Sequence, residues 1–196
     1  MMKVTVFYDY NCPFCSLGTM GLNKLYLEFD MDIEWKGIEI HPEFPAQGKK
    51  RSNTHRSKRV GASVIDMARQ DGFRIKLPGF AANSRLSLEG SEFAKTKGRF
   101  KDFHMKVYEA YFKRGKNIGD INILLEIGEN AGLGKGELEE ALKTRSMFDK
   151  VESNKKDADK ARVLGVPTFL FGELPVHGFQ STDTFRKIIL RSLERS

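Results

Sequence analysis

The sequence predicts an α/β fold that carries a large all-helical insertion, and three observations indicate it. β-forming residues at 3–8 and at 31–40 flank a stretch with helical periodicity, which gives a strand-helix-strand unit. The middle of the chain shows several amphipathic helical patterns and almost no strand pattern. Strand character then returns at 168–177 and is followed by a last helical pattern.

This order of patterns also predicts how the chain divides into domains. The strand-bearing segments 1–44 and 160–196 are expected to form one domain, and 45–159 an inserted helical domain. With 196 residues, 40% hydrophobic and 11% aromatic content, the chain is able to bury a sizeable core, which excludes a disordered protein.

The first unit contains two strands joined by a helical crossover. Residues 3–8 read Lys-Val-Thr-Val-Phe-Tyr, and 31–40 form the second strand pattern. Between them, apolar residues recur at helical spacing, namely Leu22, Leu25, Tyr26 and Phe29. Because a crossover of this length joins parallel strands, we expect the two strands to pair in parallel.

The insertion shows apolar stripes that are typical of helices packed in a core. One stripe consists of Phe100, Phe103, Val107 and Tyr111, and the next of Ile121, Leu124 and Leu125, ending near Gly132. We interpret these stripes as core faces and not as a cofactor-binding site.

The last unit is predicted to be a hairpin followed by a helix. Gly172 lies at the first position of a two-residue turn between the strand patterns 168–171 and 174–177. Pro175 has no N–H to donate to a sheet, so the second of these strands should lie at the sheet edge. Ser181 is expected to cap the closing helix, whose apolar face is Phe185, Ile188, Ile189 and Leu193.

The only two cysteines, Cys12 and Cys15, stand three residues apart where the first strand gives way to the helix. Such a pair closes and reopens a small disulfide ring by thiol-disulfide exchange. A zinc site would need two further ligands, and the four histidines lack a suitable spacing, so no metal is expected. A structural disulfide is disfavoured because so short a loop gains little stability from closure.

The residues of this motif have separable expected roles. Cys12 should lie at the helix N-terminus, where free N–H groups and the helix dipole favour a thiolate, and act as the nucleophile. Pro13 suits the first helical position. Cys15, one turn further into the helix, should be more buried and act as the resolving thiol. Phe14 is either an apolar rim for a substrate or a packing residue.

Charge and hydropathy limit the partners and the location. The net charge is +7, and basic residues cluster as Lys49, Lys50, Arg51, Arg56, Lys58 and Arg59. This cluster has no interleaved aromatic residues, so we interpret it as a solvated loop and helix start and expect no specific nucleic acid. The sequence shows no signal-peptide core and no membrane-length apolar run, which predicts a cytoplasmic protein without a membrane partner. In that reducing compartment a dithiol serves catalysis better than structure.

Two motifs carry a family resemblance. Asp9-Tyr-Asn-Cys-Pro-Phe-Cys-Ser-Leu-Gly18 together with Gly165-Val-Pro-Thr-Phe169 resembles the DsbA family of thioredoxin-like oxidoreductases, and specifically its FrnE-like branch. The branch is related to 2-hydroxychromene-2-carboxylate isomerases and kappa glutathione transferases. Further sequence segments, such as Val176-His-Gly-Phe-Gln180, extend the resemblance over nearly the whole chain.

The resemblance implies a thioredoxin-like fold and further site residues. The Val166–Pro167 peptide bond should be cis and should present the backbone of Val166 to a substrate. Asn83 and Arg85 fall where the branch lines a groove between domains, which makes them candidates for substrate binding. The intervening pair Pro13-Phe14 differs from the Pro-His pair of strongly oxidising periplasmic members, so the direction of the redox reaction stays open.

Three functions are compatible with these residues. The favoured one is a thiol-disulfide oxidoreductase that exchanges disulfides with a protein or a small molecule and needs no cofactor beyond Cys12 and Cys15, with glutathione as a candidate co-substrate. The second is a glutathione-dependent transferase or isomerase, although those enzymes place serine where Cys12 stands. The third is a chaperone or binding module that uses the groove between the domains without catalysis.

Overall fold

The computed structural model describes residues 1–194, which form six strands and eight helices. The strands are β1 (Met2–Tyr8), β2 (Met31–Gly37), β3 (Lys49–Lys50), β4 (Phe80–Ala81), β5 (Thr168–Phe171) and β6 (Leu174–His177). The helices are α1 (Pro13–Leu25), α2 (His55–Gln70), α3 (Arg85–Thr96), α4 (Phe100–Phe112), α5 (Ile121–Asn130), α6 (Lys135–Lys143), α7 (Phe148–Lys160) and α8 (Thr182–Leu193).

Four of the strands form the main sheet, in the order β2-β1-β5-β6. β1 and β2 pair in parallel, which confirms the predicted crossover unit. β5 runs antiparallel to β1 and turns into β6 through Gly172, whose φ is 60°. β6 lies at the edge and contains Pro175, as the missing N–H of proline predicted. Ser181 caps α8 by accepting a hydrogen bond from the Thr184 N–H, also as predicted.

The inserted segment is not entirely helical, which corrects the prediction for this part of the chain. β3 and β4 form a small antiparallel pair in which Lys49 lies opposite Ala81. Each strand has only two residues, too few to show the alternation of apolar and polar side chains that reveals a strand in sequence. This pairing joins the segment before α2 to the segment after it.

One large buried cluster among the described residues spans the sheet and the inserted helices. Val4 and Val6 of β1 belong to the same apolar cluster as Leu88 of α3 and Phe103 of α4. Burial of this shared apolar surface stabilises the sheet and the helices jointly. The division at 44/45 and 159/160 stays a prediction.

The outer edge of β2 is held by side chains from the inserted helices. The buried Asn154 of α7 donates from Nδ2 to the carbonyl oxygen of Gly37 at 3.2 Å and to Glu92 Oε1 at 2.9 Å. Lys95 of α3 donates to the carbonyl oxygen of Trp35. These contacts satisfy two backbone acceptors that an edge strand would otherwise leave to solvent.

Within residues 1–194, every helix is too short or too polar to cross a lipid bilayer.

Candidate active site

The two cysteines lie at the junction of β1 and α1. Cys12 is the residue before the first helical position, with an extended backbone (φ −88°, ψ 116°), and Pro13 follows as the first residue of the helix. The Cys12 N–H donates to the carbonyl oxygen of Asp9 at 3.1 Å, which closes the turn after β1. Cys12 is 8% exposed and Cys15 is 1% exposed, so Cys12 is the thiol nearer to solvent.

The surroundings shift the pKa values of the two thiols in opposite directions. The Cys15 thiol lowers the pKa of Cys12, burial opposes this effect, and the backbone N–H groups of Cys15 and Phe14 add to it. The net result is a lowered pKa for Cys12. Burial, followed by the neighbouring Cys12, raises the pKa of Cys15 well above its ordinary value. Cys12 is therefore the thiol that ionises first.

The loop before β5 faces the dithiol. The Val166–Pro167 peptide bond is cis, the isomer that the resemblance implied. The Cys12 Sγ lies 3.6 Å from the carbonyl oxygen of Val166, within hydrogen-bonding distance for sulfur. Pro167 is anchored through its carbonyl oxygen, which accepts the Gly178 N–H at 2.8 Å. The fold thus brings the two sequence motifs into contact.

Asp9 is a buried carboxylate that sequence reasoning missed. Its Oδ1 accepts the Asn11 N–H and its Oδ2 accepts the Ile40 N–H, both at 2.9 Å. Burial raises the pKa of Asp9, and these backbone donors work against that rise. Its charge in turn raises the pKa values of Cys12 and Cys15. The only signal in the sequence was an acidic residue directly after a buried strand.

A cleft of about 540 Å³ opens beside Cys12, and we call it the basic cleft. Its wall on the side of the redox motif consists of Asn11, Cys12 and Pro13, and its opposite wall comes from the β3 strand and the start of α2. The cationic side chains that line it are Lys49, Lys50, Arg51 and Arg56, with His41 at the rim. The predicted exposure of the basic cluster is correct except for Arg51, which is half-buried, and the place of the cluster beside Cys12 was not predicted.

Tyr111 connects Arg51, on the wall opposite the dithiol, to Asn11, the neighbour of Cys12. Its hydroxyl group lies 2.9 Å from Asn11 Oδ1 and accepts hydrogen bonds from Arg51 and from the Ala82 N–H. Arg51 also donates from Nε to the carbonyl oxygen of Phe80 at 3.1 Å. Arg51 is therefore a structural residue of the cleft, whereas Lys49, Lys50 and Arg56 are exposed.

Asn83 and Arg85, the two further candidates for substrate binding, do not line the basic cleft. Asn83 donates from Nδ2 to the carbonyl oxygen of Phe44 at 2.7 Å, and its Oδ1 accepts the Arg85 N–H. Arg85 pairs with Glu39 at 2.9 Å and contacts the carbonyl oxygen of Pro42. Both side chains therefore form hydrogen bonds to the 39–44 segment, part of which lines the cleft.

The other predicted site residues have mixed surroundings. Pro13 lines the cleft. Phe14 is half-buried and packs against two apolar clusters, so packing accounts for it. His41, a residue of the cleft lining that was not predicted to belong to the site, is exposed and stacks on Phe44, with ring centroids 4.4 Å apart. Across the described residues, no group of three or more His, Cys, Asp or Glu side chains could hold a metal ion.

Residues 3–190 match the DSBA-like thioredoxin domain. The chain belongs to this family. A curated relative, the uncharacterized protein YwbO of Bacillus subtilis (strain 168), is 30% identical over 191 residues, which cover 96% of each chain. The predicted thioredoxin-like α/β fold and the resemblance to the DsbA family are both confirmed.

Solved structures of DSBA-like proteins share this fold. A probable DsbA oxidoreductase, SCO1869 of Streptomyces coelicolor, superimposes with a TM-score of 0.88 at 19% identity, covering 100% of this chain and 92% of its own. A 2-hydroxychromene-2-carboxylate isomerase gives a TM-score of 0.81 at 20% identity, covering 99% and 95%. The cytosolic disulfide reductase DsbM of Pseudomonas aeruginosa with GSH gives 0.75 at 15% identity, covering 98% and 99%. An oxidoreductase class follows from the family.

Proposed function

We propose that this protein is a thiol-disulfide oxidoreductase in which Cys12 is the nucleophile and Cys15 the resolving thiol. The observation that carries the proposal is the position of Cys12. It precedes the first turn of α1, has a lowered pKa, and lies 3.6 Å from the carbonyl oxygen of Val166 in the cis-proline loop.

The reaction follows from these positions. The Cys12 thiolate attacks one sulfur of a disulfide RSSR, the S–S bond breaks, and one RS⁻ leaves and takes a proton from solvent. Cys15 then loses its proton and attacks the Cys12 sulfur, which forms the Cys12–Cys15 disulfide and releases the second RS⁻. The dithiol is oxidised by two electrons and RSSR is reduced to two thiols. The same steps in reverse oxidise a dithiol substrate.

The Val166–Pro167 segment is proposed to position the substrate. Because Pro167 has no N–H and the Val166 carbonyl oxygen faces Cys12, an extended substrate backbone is able to lie along this segment near the nucleophile. We propose a protein or a small molecule as the disulfide substrate and glutathione as a co-substrate, which the DsbM structure with GSH supports. We also propose a cytoplasmic location, which fractionation of cells would test.

A disulfide-reduction assay with insulin tests the proposed function. Cys12→Ser should abolish turnover, because the hydroxyl group of serine is not ionised at neutral pH and does not attack a disulfide. Cys15→Ser should stall after one step and accumulate mixed disulfides on Cys12, which mass spectrometry detects. Wild-type turnover in the Cys12→Ser variant would contradict the assignment.

A transferase or isomerase is the second candidate function, favoured by the superposition on the isomerase. Such an enzyme would orient a glutathione thiolate at the start of α1 and would not need the second thiol. Conjugation of a chlorodinitrobenzene-type electrophile that survives Cys15→Ser would support it. We expect no conjugation by the wild type or by either cysteine variant.

A further inference from the structure

The basic cleft combines a nucleophile with cations that form no ion pair within residues 1–194, although the Lys49 ammonium lies 5.5 Å from the centroid of the Phe44 ring. Lys49, Lys50 and Arg56 line the cleft together with Cys12. Throughout residues 1–194, no carboxylate lines the cleft, and none lies within 4.0 Å of a charged nitrogen of these three side chains. Elsewhere the protein pairs many of its cations, as in Arg186 with Glu28 at 2.9 Å.

The cleft also has the volume of a small-molecule site. Its volume of about 540 Å³ lies within the range of about 300–1,000 Å³ that is usual for small-ligand sites. Its lining includes Val60, Val64, Leu77 and Ala81, which form an apolar part beneath the cations. The N-terminal end of α2, capped by Thr54, adds positive potential at the same wall.

Resting on the proposed function, we propose that the disulfide that reacts with Cys12 is that of a small anionic thiol, so that the whole disulfide carries at least two carboxylate or phosphate groups. Lys49, Lys50 and Arg56 hold these groups while the S–S bond lies against the Cys12 sulfur at the other end of the cleft. The cations act as specificity-determining residues, because they attract an anionic disulfide and repel a cationic one. Arg51 contributes its charge but is fixed by Tyr111 and Phe80.

Three small disulfides of similar length test this selection by charge: anionic dithiodipropionate, neutral bis(hydroxyethyl) disulfide and cationic cystamine. Fully reduced protein is mixed with each disulfide without oxygen and quenched with acid. Mass spectrometry then measures how fast the mixed disulfide on Cys12 and the Cys12–Cys15 disulfide form. Wild-type protein should react fastest with the anionic disulfide and slowest with the cationic one, and added salt should reduce the difference.

A pair of charge-matched variants separates the cleft from the total charge of the protein. Lys49→Gln with Arg56→Gln should lower the rate constant for dithiodipropionate by about five- to tenfold, and that for the neutral disulfide by less than about twofold. Lys58→Gln with Arg59→Gln removes the same charge from α2 outside the cleft lining and should change all three rate constants by less than about twofold.

Each further outcome has a definite meaning. Equal wild-type rate constants for the three disulfides, or equal losses in the two double variants, would overturn charge selection by the cleft and leave the proposed function standing. A wild-type protein that reacts with none of the three disulfides would overturn this inference. Insulin reduction by the same protein would then show that the proposed function stands, and failure in both assays would overturn the two together.

Discussion

At the scale of single residues, two neighbours act on Cys12 in opposite directions. The Cys15 thiol lowers the pKa of Cys12, and the buried charge of Asp9 raises it. The effect of Cys15 is the larger of the two, so the lowered pKa of Cys12 comes mainly from its neighbour Cys15. Asp9 also fixes the loop geometry through Asn11 and Ile40, which explains the presence of an acid that works against the thiolate.

The pH dependence of Cys12 alkylation should follow these signs. Cys15→Ala removes the neighbour that lowers the pKa of Cys12, so the inflection in the rate of alkylation by iodoacetamide should move to higher pH and the rate at neutral pH should fall. Asp9→Asn removes a negative charge, so the inflection should move to lower pH. Mass spectrometry assigns the modified cysteine. Movement of both inflections in the same direction would contradict this account.

Sequence reasoning identified the dithiol and the cis-proline loop because each is a short motif whose chemistry is local. It did not place Lys49 or Arg56 beside Cys12, because that proximity depends on the pairing of β3 with β4 across the whole of α2. The family resemblance made Asn83 and Arg85 candidates for substrate binding, and this stays a prediction. In the fold, Asn83 donates to the carbonyl oxygen of Phe44, and Arg85 pairs with Glu39 and contacts the carbonyl oxygen of Pro42.

At the scale of secondary-structure elements, a glycine determines how closely α1 approaches the sheet. A Cβ atom at Gly18 would lie 2.5 Å from Cζ of Phe169, well inside van der Waals contact. Phe169 is fully buried between α1 and α8, so its ring has little room to move. The close approach keeps the N-terminus of α1, and with it Cys12, near the loop that precedes β5.

Gly18→Ala should therefore destabilise the protein, although alanine favours a helix. Overpacking against Phe169 should lower the free energy of unfolding by about 1–3 kcal/mol. Gly136→Ala in α6 is the matched control, because nothing lies within 4 Å of its added Cβ, and it should raise the free energy of unfolding by up to about 1 kcal/mol. Denaturant unfolding measures both. A gain in stability from Gly18→Ala would show that the ring moves freely.

At the scale of the whole molecule, the sheet and the inserted helices are joined by a shared core and by buried polar contacts. Asn154 is the clearest of these contacts, since one buried amide bonds both Gly37 at the end of β2 and Glu92 in α3. Without the Asn154 amide, the carbonyl oxygen of Gly37 and the carboxylate of Glu92 would each lose a hydrogen-bond donor. The two parts of the chain should consequently unfold together.

Asn154→Ala should lower the free energy of unfolding by about 1–3 kcal/mol, because buried hydrogen-bonding groups lose a partner. The transitions followed by Trp35 fluorescence, which reports on β2 and its contact with α4, and by far-UV circular dichroism, which reports mainly on the helices, should shift together. Asn130→Ala is the control, since its amide bonds the Glu126 carbonyl oxygen at the surface, and its effect should stay within about 0.5 kcal/mol. Separate transitions would show that the two parts unfold independently.

The two edge strands of the sheet, β2 and β6, are protected from pairing with a further strand in different ways. On β2, side chains of Lys95 and Asn154 occupy the carbonyl groups of Trp35 and Gly37, and on β6, Pro175 interrupts the row of N–H donors. A strand from another molecule would therefore lack these two acceptors on β2 and a complete row of donors on β6. Extension of the sheet by a strand of a second copy of this chain is thereby blocked at both sides.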